Sequence, residues 1–74
     1  MEPLIEKILQ QAISAYKKGE LQEAELLYNS ILQSHPLHPD ANYNLGLLAI
    51  SAKKPESALS LFKIALTSDP NIEK

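Results

Sequence analysis

The stretch PDANYNLGLLAISAKKPESALSLFKIALTSDP, residues 39–70, decides the fold. It opens on Pro39, suited to a first helical turn because its missing N–H is not needed there, and on Asp40, a carboxylate that complements the helix dipole. Behind them Ala41, Leu45, Leu48, Ala49 and Ala52 recur at intervals of three and four, with Tyr43, Leu47 and Ile50 on an adjoining face, so the spacing predicts an amphipathic helix. Lys53-Lys54 form a connection. Pro55-Glu56 then start another helix, which carries Ala58, Leu61, Phe62, Ala65 and Leu66 until Asp69-Pro70-Asn71 stops it.

Toward the N-terminus the same grammar recurs. Pro3 can open a helix whose apolar positions are Leu4, Ile5, Ile8, Leu9, Ala12, Ile13, Ala15 and Tyr16, and Gly19 ends it. A further helix begins near Leu21 and runs through Ala24, Leu27, Tyr28, Ile31 and Leu32 to Ser34, where His35-Pro36-Leu37-His38-Pro39 breaks it. No segment alternates with period two, so the fold class is all-α with four helices. At an offset of 34 residues Ala15 meets Ala49, Ala24 meets Ala58, Leu27 meets Leu61, Leu32 meets Leu66 and Pro36 meets Pro70. Ala12 with Gly46, Ile13 with Leu47, Tyr28 with Phe62 and Gln10 with Asn44 are near matches at the same offset. The sequence therefore reads as a duplicated helix–turn–helix unit. Small residues recur where the helices of one unit touch, so Ala12 and Gly46 are expected to face Ala24 and Ala58.

Asn44-Leu45-Gly46 in one helix, Ala58 and Phe62 in the next, and Leu66 before Asp69-Pro70 resemble a tetratricopeptide repeat. Ala12, Tyr16, Gly19, Ala24, Tyr28, Leu32 and Pro36 resemble it more loosely. The resemblance covers residues 1–36 as one repeat and 37–70 as a second, with 71–74 as the start of a third or a tail. It implies two stacked helical hairpins, a fragment of an α-solenoid, with Ala12, Ala24, Tyr28, Gly46, Ala58 and Phe62 packing the repeats. Departures are visible: Ala12 replaces the usual Gly, Ile31 the usual Ala and Lys53 the usual turn Gly. Ile8 and Asn42 stand where an aromatic is usual.

Composition narrows the function. A chain of 74 residues with 45% apolar and 22% charged residues is globular, yet too small to hold both a core and a large pocket. Seven Lys and no Arg against nine acids leave a net charge of −2, without the basic face a nucleic-acid reader needs. Zero Cys excludes disulfides, thiolate metal sites and a Cys nucleophile, and fits a reducing compartment. The N-terminal residues lack the pattern of a signal peptide, and the longest apolar run, Leu47 to Ile50, is far short of a membrane span. A cytoplasmic protein with no membrane contact is expected.

The sequence assembles no catalytic set, metal site or cofactor site. His35, His38 and Asp40 could be metal ligands, but His35 and His38 read as residues of an ordinary solvated connector fixed by Pro36 and Pro39. Glu20, Glu23 and Glu25 surround a helix start, where acids serve the dipole. Ser14, Ser30, Ser57 and Ser60 lack a nucleophile-elbow setting, and Gly19 and Gly46 stand alone rather than in a phosphate loop. Lys17-Lys18 and Lys53-Lys54 read as solvated hairpin tips.

The resemblance instead implies a concave groove lined by the first helix of each repeat. Its lining would be Glu6, Leu9, Gln10, Ile13 and Tyr16, then Asp40, Tyr43, Asn44, Leu47 and Ile50. A carboxylate clamp of the kind found in one subgroup is not carried over, because Leu9 and Ile13 stand where its Lys and Asn would be. Gln10 and Asn44 resemble the amide ladder of the O-linked N-acetylglucosamine transferase repeats, which can hold a peptide backbone through paired N–H and C=O groups. The expected function is non-catalytic recognition of a protein or peptide. Repeats of this kind normally stack in threes or more, and Leu59, Ile64 and Ala65 are expected to leave apolar surface where a further unit would pack. Self-association into a homo-oligomer is therefore expected in isolation. The motif His38-Pro39-Asp40-Ala41 with Asn44-Leu45-Gly46 also resembles the N-terminal arrays of bacterial glycosyl- and sulfotransferases, which would make the chain a substrate-presenting region. A purely structural homo-oligomer is the third reading.

Overall fold

In the computed structural model, which describes residues 3–72, four helices form where proline and glycine punctuate the chain. They are α1 (Pro3–Lys17), α2 (Leu21–Ser34), α3 (Pro39–Ser51) and α4 (Pro55–Ser68). The expected beginning or tail at 71–74 lies partly outside the described residues, as do Met1 and Glu2. Helix α1 packs on α2 and α3 on α4, while α2 packs against α3 and joins the two hairpins, with α1 also touching α3. The described residues form no strand.

The 34-residue period is written into the backbone hydrogen bonds. At the end of α1 the Glu20 N–H donates to the Ala15 carbonyl at 2.9 Å and the Gly19 N–H to that of Tyr16 at 3.0 Å. At the end of α3 the Lys54 N–H donates to Ala49 at 2.8 Å and the Lys53 N–H to Ile50 at 3.0 Å. Both are Schellman endings, which require a left-handed residue just past the helix. Gly19 supplies it with φ +81, whereas Lys53 adopts φ +62 without glycine's freedom. The turn after each second helix repeats too: His35 N–H to Ile31 and His38 N–H to His35 are matched by Asp69 N–H to Ala65 and Ile72 N–H to Asp69.

Between the hairpins sits one core of Ile5, Leu9, Ala12, Ala15, Ala24, Tyr28, Ile31, Ala41, Leu45 and Leu48. Tyr28 is 1% exposed and is among its largest members. Burial pushes its phenol up to about 12, and the neighbouring Tyr16 phenol adds to the shift. Ala12 and Ala24 are fully buried and Ala58 nearly so. At Gly46 the nearest approach is made by Phe62. A Cβ there would lie 2.6 Å from Phe62 Cε1 and 2.8 Å from Cδ1, so the missing side chain makes room for an aromatic ring. Phe62 in turn lies 5.5 Å from the Tyr43 ring, tilted by 48°.

The loop between α2 and α3 is also less ordinary than its sequence implies. His38, expected to be solvated, is only 8% exposed and is the N-cap of α3, its Nδ1 accepting from the Ala41 N–H at 3.1 Å. Its Nε2 is buried without a hydrogen-bond partner among the described residues. Asn42 is buried as well, and its Nδ2 donates to the carbonyls of His38 at 2.9 Å and Pro36 at 3.1 Å. One amide thus ties the loop to the helix it introduces, through the Pro36 carbonyl and a His38 carbonyl that also accepts from the Asn42 N–H at 3.1 Å.

Equivalent positions in the two hairpins are buried unequally. Tyr28 is buried, but its counterpart Phe62 is half-buried; Leu32 is half-buried, but its counterpart Leu66 is 38% exposed. Leu59 is 57% exposed and Ile64 half-buried, as expected of an uncovered flank. Ala65 corrects that expectation: it is fully buried, because it follows Ala58 by two turns on the side of α4 that faces α3.

Candidate functional site

Helices α1 and α3 touch, and the residues expected to line a groove on them are buried to different degrees. Glu6 and Gln10 on α1 are exposed, and Ile13 and Tyr16 are half-buried. On α3, Asp40, Tyr43, Asn44 and Leu47 are half-buried and Ile50 is exposed. Leu9 is a correction: at 5% exposure it belongs to the core with Ile5 and Ala12 and does not line a groove. A leucine one turn beyond Ile5 falls on the same inward stripe.

The two helices are tied across this face by one polar contact, Tyr16 Oη with Ser51 Oγ at 3.2 Å. Ser51 also donates to the Leu47 carbonyl at 3.3 Å, so the link rests on a hydroxyl already held by its own helix. The two amides are not alike. Asn44 Nδ2 donates to the Asp40 carbonyl at 2.8 Å, which holds the side chain against α3 while leaving Oδ1 and one N–H for other partners. Gln10 is exposed. The Tyr43 ring packs against Phe62 of α4.

On the other side, a crevice of about 180 Å³ runs between α2 and the second hairpin, lined by Glu25, Asn29, Leu45, Leu48, Ala49, Ala52, Lys54, Ser57 and Leu61. Its residues come from α2, α3, α4 and the turn between α3 and α4, and only the packing of the hairpins brings them together, which is why pattern reading missed it. It is smaller than the roughly 300 Å³ at which small-molecule pockets begin. Among the described residues no group of three His, Cys, Asp or Glu could hold a metal ion, and His38 Nδ1 is already used as a helix cap. Among them too, no helix is long and apolar enough to cross a membrane.

Two helical hairpins stacked in a 34-residue register define a short α-solenoid, and the family comparison agrees with it. The family model described as Tetratricopeptide repeat matches residues 9–71, and the chain belongs to that family. Members are generally protein–protein interaction modules. Comparison with curated proteins gives no match.

Proposed function

We propose that the chain is a non-catalytic protein-recognition module, that it receives a peptide or helix along the face shared by α1 and α3, and that it self-associates in isolation. The face itself supports this most directly: Ile13, Leu47 and Ile50 give it an apolar strip, and Asn44 sets an amide with free hydrogen-bonding capacity beside that strip. Apolar strips flanked by convergent polar groups suit an amphipathic helix or an extended segment laid in a groove. The reading divides the chain into repeats at 1–36 and 37–70 and leaves 71–74 as the start of another repeat or a tail. With no Cys and an acidic net charge it points to the cytoplasm and away from nucleic acid and membranes.

The alternative of a substrate-presenting region in a larger bacterial transferase rests on His38-Pro39-Asp40-Ala41. Those residues have local employment: Pro39 opens α3, His38 caps it and the His38 carbonyl accepts from Asn42. They therefore add nothing specific for a transferase. A purely architectural oligomer predicts instead that no outside ligand competes for the α1–α3 face.

Asn44→Ala tests the reading, because the side chain is half-buried and makes only a local bond. Affinity for a selected peptide should fall by about tenfold, the worth of one well-placed amide pair, with helicity unchanged. Unchanged affinity would remove the amide from the recognition mechanism.

A further inference from the structure

We infer that the outer face of α4 is a two-fold, antiparallel contact with α4 of a second copy, with Leu59 and Ser60 at the axis and Glu56 of each copy paired with Lys63 of the other. The inference rests on the self-association part of the proposed function and is independent of the groove.

Two observations decide which end of the molecule is sticky. Ala41, Leu45 and Leu48 are the α3 positions buried at the seam between hairpins, and one repeat earlier in α1 they are Lys7, Gln11 and Ser14, all exposed. A second copy therefore cannot stack in repeat register by laying its α1 where α3 lies, since three polar side chains would replace three buried apolar ones. Head-to-tail growth is disfavoured. The opposite end is uncovered, with Leu59 exposed on the outer stripe of α4 and Leu66 and the half-buried Phe62 along its flank. With one polar end and one apolar end, the contact that closes is isologous, apolar end to apolar end.

Charge spacing selects the geometry of that contact. Glu56, Leu59, Ser60, Lys63 and Thr67 follow one another at three and four residues, so they share one exposed stripe. Glu56 and Lys63 are two turns apart, about 10.5 Å along the axis, and among the described residues neither has an ion-pair partner. A two-fold axis midway between them superposes each charge on its opposite in the other copy, which makes the stripe self-complementary. The hydroxyls on it are already satisfied: Ser60 Oγ donates to the Glu56 carbonyl at 3.3 Å and Thr67 Oγ1 to the Lys63 carbonyl at 2.8 Å. Covering them leaves no donor unpaired, and the small Ser60 lets the helices approach closely.

Molar mass by light scattering across a concentration series, with circular dichroism as a folding control, tests the contact. The wild-type chain should approach twice its 8.2 kDa mass. Leu59→Glu, which places two like charges at the axis, and Glu56→Lys and Lys63→Glu, which turn attractive pairs repulsive, should each raise the dimer dissociation constant by at least about tenfold. Mixing Glu56→Lys with Lys63→Glu should restore dimers within about threefold of wild type, because each pair then has opposite signs again. Dimers that persist in all three single variants would overturn the α4 contact while leaving self-association standing. A wild-type chain that stays monomeric at millimolar concentration would overturn both, and leave groove binding to be judged on Asn44 alone.

Discussion

Gly46→Ala isolates how closely the two helices of the second hairpin approach. The new Cβ would sit 2.6 Å from Phe62 Cε1, 2.8 Å from Cδ1 and 3.1 Å from Cζ. Reaching an ordinary carbon–carbon contact requires the ring to retreat by about 1 Å. The ring is half-buried and can yield outward, but it then loosens its contact with Tyr43. Overpacking of this size costs about 1–3 kcal/mol. Against it, alanine gains about 1 kcal/mol of helix propensity over glycine. The difference predicts a net loss of about 1 kcal/mol, or about 4–8 °C in Tm for a domain this small. Urea denaturation at one fixed protein concentration measures it, since any association would otherwise shift the midpoint. Repeating the substitution in a Phe62→Ala background, with a stabilising osmolyte to keep the transition measurable, removes the clash and should leave only the propensity gain of about 1 kcal/mol. The coupling between the two sites is then about 2 kcal/mol. If Gly46→Ala stabilises the wild-type protein by the same amount as it does the Phe62→Ala background, the close approach has no energetic consequence and the reasoning fails.

Other consequences follow from the caps and the core. Lys53→Gly should stabilise by about 0.5–1 kcal/mol by relieving a left-handed lysine, net of glycine's greater freedom when unfolded, whereas Gly19→Ala should cost about 1 kcal/mol or more for conformational reasons alone, its Cβ meeting nothing within 4 Å; thermal melts with both changes destabilising would contradict this. His38→Ala should lose about 2 kcal/mol through the cap and its packing, and His38→Asn should recover at least half by restoring an acceptor for the Ala41 N–H. Equal losses would assign the residue to packing only. Because the Tyr28 phenol is raised from 10.0 to about 12, its contribution is complete below pH 10 and disappears as pH climbs through 12, a loss of at most about 2–3 kcal/mol. Tyr28→Phe should flatten that part of the stability curve, and an unchanged slope would count against the burial argument.

Helix boundaries were legible because prolines and a glycine mark them chemically. Pro39 and Pro55 each occupy a first helical position and Gly19 a left-handed turn, and these constraints act within a few residues. The repeat was legible because an offset of 34 preserves side-chain size on the packed faces. Features that depend on where a side chain turns in space were not. Periodicity puts Leu9 on the same stripe as Ile5 and Ala12, and the implied groove alone drew it out of the core where it lies. His38 looks like a loop polar in one dimension and Asn42 like a polar substitute for an aromatic, yet both are buried against backbone groups a few residues away. Tyr16 and Ser51 are 35 residues apart and carry no shared pattern, so their contact follows only from the stacking of the hairpins.

Recognition by the α1–α3 face is tested most directly by fluorescence anisotropy of peptides selected from a random library on the wild-type protein. Each peptide is titrated against wild type, the groove variant Asn44→Ala/Leu47→Asp and the outer-surface variant Leu26→Glu, whose site on α2 is exposed and away from the groove. Binding that survives Leu26→Glu and weakens at least about tenfold in the groove variant, with both variants equally helical, is the predicted result. Selected peptides that bind the groove variant as tightly as wild type would contradict the account.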